Sequence, residues 1–136
     1  MQPGERIDPI TGFADGRTLV LTGNYVLTLA RKKNQAASLV VIRLDDTDEA
    51  AERSMSLALR ASVRGTDHLF KAAEQTLVVL LPVASLDGVA KVLLRVARLC
   101  DGPFVYGVAT TQVDGWSIDR LVARATDRLR HFPLAL

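Results

Sequence analysis

Apolar positions change their period several times along this 136-residue chain, and each change marks an element. Leu39-Val40-Val41-Ile42 is an unbroken apolar run. Runs of that kind suit a strand covered on both faces, so 37–44 is expected to be a central strand. Leu77-Val78-Val79-Leu80-Leu81 predicts a second buried strand, and 69–72 a partner joined to it by the link Ala73-Glu74-Gln75-Thr76. Residues 104–110 predict a fourth strand.

Between these runs the period lengthens to that of a helix. Ala51, Met55, Ala58 and Leu59 form one inward stripe. Leu86, Val89, Ala90, Leu93, Val96, Ala97 and Cys100 form another, and Ile118, Leu121, Val122, Ala125 and Leu129 a third. Asp46 or Thr47 is the expected cap of the first of these helices, with Asp48, Glu49 and Glu52 in or near its first turn, where carboxylates favour the helix dipole. Ser85 opens the second helix, Gly102-Pro103 ends it, and Trp116-Ser117 starts the last. Residues 18–33 fit either a helix, through Leu19, Val26, Leu27 and Ala30, or a strand Leu19-Val20-Leu21 ahead of a turn at Gly23-Asn24. The segment before them is rich in turn formers.

From 37 to 110 the order is β-α-β-β-α-β. This is an α+β, ferredoxin-like arrangement: an antiparallel sheet with helices packed on one face, in a single domain spanning 1–136. Composition agrees with a folded domain. Hydrophobic residues at 49% and charged ones at 24% exclude intrinsic disorder. Seventeen basic against fifteen acidic residues leave a net charge of +2, too small to argue for nucleic acid as a partner. The single Cys100 excludes an internal disulfide and reads as a buried thiol. No apolar run reaches membrane-spanning length and the N-terminus has no signal-peptide pattern, so no membrane insertion and a reducing cytoplasm are expected.

Four short motifs follow one another around this core. They are Asp8-Pro9-Ile10-Thr11-Gly12-Phe13, Val41-Ile42-Arg43-Leu44-Asp45, Tyr106-Gly107-Val108-Ala109 and Ala125-Thr126-Asp127-Arg128-Leu129. With the stretch from Arg64-Gly65-Thr66-Asp67 through the hairpin to Pro82, they resemble a GGDEF domain, the module that makes cyclic di-GMP. The resemblance implies a nucleotide-cyclase-like fold, and it carries expectations about two sites.

At the catalytic site, such domains join two GTP molecules with the help of metal ions held by carboxylates. The first of those carboxylates falls on Arg43, and the acidic pair of the signature on Gln75 and Thr76. The paired glycines fall on Ala73 and Glu74, whose side chains would crowd a triphosphate. The family's Phe-Lys-x-x-Asn-Asp and Gly-His elements have no counterpart after Asp45. A one-residue slip that makes Glu74 the missing acid would displace Val78-Val79-Leu80-Leu81-Pro82 from its match. No catalytic residue, metal ligand or cofactor is therefore expected, and the chain is read as not an enzyme.

At the second site, the family's inhibitory Arg-x-x-Asp pair falls on Arg64 and Asp67, with Arg95 at the position of a further arginine and Arg98 nearby. A guanidinium can donate two parallel hydrogen bonds to guanine O6 and N7, and a carboxylate can accept from N1–H and N2–H. Cyclic di-GMP is the expected ligand, and a receptor relaying its level to a partner or attached domain the expected role. The plainer reading of Arg64 and Asp67 is an ion pair closing a loop, and that of Arg95 a solvated helix face. Under those readings the chain is a nucleotide-blind structural or dimerisation module, for which the apolar tail Phe132-Pro133-Leu134-Ala135-Leu136 offers a contact with a partner or with its own core.

Other charged residues read as structural. Arg120, Arg124 and Arg128 alternate with Asp119 and Asp127 as a salt-laced helix face. His68 and His131 are separate from each other and from any cysteine cluster. Trp116 reads as a core or staple residue.

Overall fold

A computed structural model of the chain describes residues 7–45, 48–100 and 102–132. In chain order the elements are β1 (Ala14–Asp15), α1 (Gly16–Lys32), β2 (Ser38–Leu44), α2 (Glu49–Ser62), β3 (His68–Ala73) and β4 (Thr76–Leu81). They continue with α3 (Leu86–Leu99), β5 (Phe104–Thr110), the single turn α4 (Thr111–Asp114), α5 (Ile118–Asp127) and β6 (Arg130–His131). The strands form one sheet in the order β1-β3-β4-β2-β5-β6. Its four central strands are antiparallel neighbours, in the expected ferredoxin-like order. The sheet as a whole is mixed, because the edge strand β1 runs parallel to β3 through Ala14 opposite Phe70.

The continuous apolar run of β2 has the predicted cause. Val40, Ile42 and Leu44 point into one core with Met55, Leu59, Leu93 and Val96 from α2 and α3. Leu39 and Val41 point into a second core with Leu19, Leu27, Ile118 and Leu121 from α1 and α5. Helices thus cover both faces of the sheet, not one as the β-α-β-β-α-β order alone suggested. Each large apolar side chain so buried contributes about 1.5–3 kcal/mol, and β2, paired on both edges and covered on both faces, is the centre of the fold.

The ambiguous segment 18–33 is helical. Asp15 caps α1 by accepting from the Thr18 amide at 2.9 Å and from its hydroxyl. Two close approaches then set α5 in place. A Cβ on Gly23 would lie 2.6 Å from the Ile118 side chain, and one on Gly107 would lie 1.8 Å from the Ala125 carbonyl oxygen. Only glycine lets α5 rest directly on β5.

Several boundaries differ from the sequence expectation. The cap of α2 is Asp48, whose carboxylate accepts from the Ala50 amide at 3.0 Å; Asp46 and Thr47 lie outside the described residues. Ala73 pairs with Thr76, so the hairpin link is the two-residue turn Glu74-Gln75, with Gln75 at φ 61°. Cys100 is half-buried at the C-terminus of α3 instead of sealed in it. Leu86 and Ala90, expected on the inner stripe of α3, are exposed, and the buried stripe is Val89, Leu93 and Val96.

Arg128 does not pair with its helix neighbours. It forms a bidentate bridge to the buried Asp114, with Nη2–Oδ1 at 2.7 Å and Nη1–Oδ2 at 2.8 Å. Phe132 packs its ring against Phe104 and Tyr106, so the start of the tail contacts the chain's own core; 133–136 lie outside the described residues. Trp116 packs on the α1/α5 core with the Arg31 guanidinium 5.6 Å from its ring centre. No described helix is long and apolar enough to cross a membrane.

Candidate ligand-binding cleft

Helix α2 stops at Val63, whose amide still donates to the Leu59 carbonyl, and the chain turns through 64–67 before entering β3. Asp67 makes that turn. Its amide donates to the Arg64 carbonyl at 3.0 Å, and its carboxylate oxygen Oδ2 accepts from the Arg64 amide at 2.8 Å. This reciprocal latch fixes the backbone of Arg64 without engaging its side chain. Among the described residues the Arg64 guanidinium pairs with no carboxylate. The loop is clasped, as the plainer reading of Arg-x-x-Asp required, but by a backbone amide and not by a guanidinium–carboxylate ion pair.

Helix α3 faces this turn. Ser85 caps it, accepting from the Gly88 amide at 3.5 Å. Between loop and helix lies a cleft of about 270 Å³ lined by Arg64, Asp67, Asp87, Lys91 and Arg95, with Leu81, Ala84 and Val92 among its apolar walls. Arg64, Asp67 and Arg95, separated by up to 31 positions in sequence, therefore share one concavity. Arg95 is exposed, and its Nε donates to the Lys91 carbonyl at 3.4 Å. Arg98 does not line the cleft. Asp87 and Lys91 were not singled out from sequence. Their spacing of eight and four residues from Arg95 was the available signal, since i, i+4 positions share a helix face.

The positions assigned to catalysis also come together. Arg43 is exposed and stands opposite Thr76 in the β2–β4 register, and the Leu44 amide donates to the Gln75 carbonyl at 3.0 Å. The β2 end and the hairpin turn thus meet, bringing Arg43, Gln75 and Thr76 together at one end of the sheet. Among the described residues no three His, Cys, Asp or Glu side chains are grouped to hold a metal ion. Asp45, at the end of β2, has its carboxylate 3.3 Å from His131 Nε2.

A third cluster ties the Asp8 motif to the hairpin. Asp8 accepts from the Thr11 amide and hydroxyl, each at 2.8 Å. Lys71 Nζ lies 2.9 Å from Glu52 Oε2 and 3.4 Å from Asp8 Oδ1, and all three side chains are at least four-fifths buried. Burial alone would lower the Lys71 pKa, but the two carboxylates outweigh it and hold it above the ordinary 10.5. Burial likewise acts to raise that of Asp8, and the Thr11 hydrogen bonds with Lys71 bring it below 3.8.

No protein-family model matches the chain, and no curated protein matches it. Among solved structures, the chain is similar to the GGDEF domain of YfiN (TpbB) from Pseudomonas aeruginosa. That domain is 16% identical, with 89% of this chain and 84% of that one covered and a TM-score of 0.78. It is also similar to the GGDEF domain of DgcB from Caulobacter crescentus in complex with c-di-GMP, at 12% identity, 89% and 83% coverage and a TM-score of 0.78. The FimX GGDEF domain from Pseudomonas aeruginosa matches at 14% identity, with 90% of each chain covered and a TM-score of 0.72. Identities this low speak to architecture: the chain has a GGDEF-like fold, a mixed sheet of six strands flanked by helices.

Proposed function

We propose that this chain is a catalytically inactive GGDEF-like domain that binds cyclic di-GMP through Arg64 and Asp67, with Arg95 assisting, and relays the level of that messenger to a partner or attached domain. The observation that carries the reading is the cleft itself, which gathers these three residues while leaving the Arg64 guanidinium unpaired among the described residues. With its backbone latched, Arg64 can meet the O6 and N7 edge of guanine by ordering its side chain alone, without ordering the loop. One carboxylate oxygen of Asp67 stays available to accept from the base. A cleft of about 270 Å³ is at the small end for ligand sites, which suits seating one end of a dinucleotide and leaving the rest at the surface. That DgcB was solved with c-di-GMP supports the choice of ligand.

Inactivity rests on Arg43, Gln75 and Thr76. A guanidinium repels a divalent cation, and neither an amide nor a hydroxyl supplies the negative charge that magnesium requires of its ligands. Incubation with GTP and magnesium followed by chromatography is expected to yield no cyclic di-GMP; product formation would refute this half of the proposal. For binding, a thermal-shift panel of cyclic di-GMP, cyclic di-AMP and GTP is expected to raise Tm most with cyclic di-GMP, because a ligand that binds only the folded state stabilises it in proportion to its affinity.

A second reading is favoured by one feature. Leu21, Tyr25 and Leu29 project from α1 at four-residue intervals and are 68%, 65% and 38% exposed, an apolar ridge of the kind used for protein docking. A domain serving only as a docking module would keep its Tm unchanged across the whole panel.

A further inference from the structure

The opposite wall of the cleft carries charges that neither the motif resemblance nor the Arg-x-x-Asp pair assigns. Asp87, Lys91 and Arg95 recur at four-residue intervals on α3, all three are exposed, and all three line the concavity shared with Arg64 and Asp67. Asp87 and Lys91 have the spacing of a helical ion pair. Among the described residues they form none, and neither is paired elsewhere. Both are open to the cleft. Asp67, in contrast, has one oxygen committed to the Arg64 amide.

These differences divide the chemistry. The guanine edge offers N1–H and N2–H side by side, which a carboxylate with both oxygens open accepts as a pair. Adenine carries an acceptor at N1 and no amino group at C2, so the same carboxylate rejects it. An ammonium is a compact point charge suited to phosphate and indifferent to the base. We infer that Asp87 is a second carboxylate that selects guanine in this cleft, beside the one open oxygen of Asp67, and that Lys91 contacts the phosphodiester. The inference rests on the cyclic di-GMP reading of the cleft and adds the residues that set its specificity.

The test is equilibrium titration of the full chain with cyclic di-GMP and with cyclic di-AMP, in the native sequence, Asp87→Asn, Lys91→Gln and Arg64→Ala. Asp87→Asn should weaken cyclic di-GMP about tenfold or more and leave cyclic di-AMP nearly unchanged, so that the preference for guanine narrows. Lys91→Gln should weaken both dinucleotides in similar proportion and flatten the salt dependence of binding. Neither should move the unliganded Tm appreciably, which separates a ligand contact from a structural role. If the native chain binds cyclic di-GMP and loses it in Arg64→Ala while Asp87→Asn and Lys91→Gln bind as the native chain does, the assignment to α3 is overturned and the receptor reading stands. If the native chain binds neither dinucleotide at saturating concentration, both fall together.

Discussion

Asp114 and Arg128 meet in a bidentate ion pair that joins the turn after β5 to the end of α5, with contacts of 2.7 and 2.8 Å. The same carboxylate accepts the Thr110 amide at 3.0 Å, and Arg128 also donates to the Val108 carbonyl. The hydrogen bonds from Arg128 hold the Asp114 carboxyl below its ordinary 3.8, with burial opposing them. Because the folded value lies below the unfolded one, the stability this carboxylate contributes is fully present above pH 3.8 and is lost as pH falls through the folded value. Asp114→Asn should lower stability near neutral pH by about 1–2 kcal/mol, and it should reduce the acid sensitivity of Tm below pH 4. A variant whose Tm falls with acid as steeply as the native chain's would show that the pair does not set the acid limb.

The Lys71 cluster makes the converse prediction. Its folded pKa is raised, so its contribution is fully present below 10.5 and is lost as pH rises through the folded value. Lys71→Met leaves Glu52, whose side chain is only 6% exposed, buried without its cation. Denaturant unfolding should register a loss of about 3 kcal/mol, the lower end for breaking a buried pair. Glu52→Gln in the same background should recover part of that loss, since it removes the orphaned charge.

Gly107→Ala should be among the most damaging single-methyl substitutions in the chain. The added carbon would meet the Ala125 carbonyl oxygen, a backbone atom that cannot rotate away, so α5 has to lift from β5. Thermal unfolding should show a cost of about 3 kcal/mol, at the upper end for overpacking. Gly65→Ala, where an added Cβ meets nothing within 4 Å, is the matched control and should be nearly neutral.

How much of this was legible beforehand depended on the range of the interactions involved. Strands β2, β4 and β5 announced themselves because burial on both faces leaves a run with no polar position. Helix α1 did not, because Leu21, Tyr25 and Leu29 face outward while Leu19, Leu27 and Ala30 face inward, which blurs the helical period. The two-residue strands β1 and β6 are too short to leave any pattern. Arg64, Asp67 and Arg95 were singled out as candidates through motif register, and they line one cleft. Asp87 and Lys91 escaped notice because their meaning depends on which loop α3 faces. The partner of Arg128 was misread for a related reason: Asp127 is adjacent in sequence, but Asp114, fourteen residues away, is adjacent in space.

The central claim is that Arg64 grips guanine from a turn latched by Asp67. Isothermal calorimetry of cyclic di-GMP into the native chain and into Arg64→Ala addresses it most directly. We predict saturable heat for the native chain that disappears in Arg64→Ala, with both proteins unfolding at similar temperatures without ligand. Absence of heat from the native chain at saturating dinucleotide, or an Arg64→Ala isotherm matching the native one, would contradict the account.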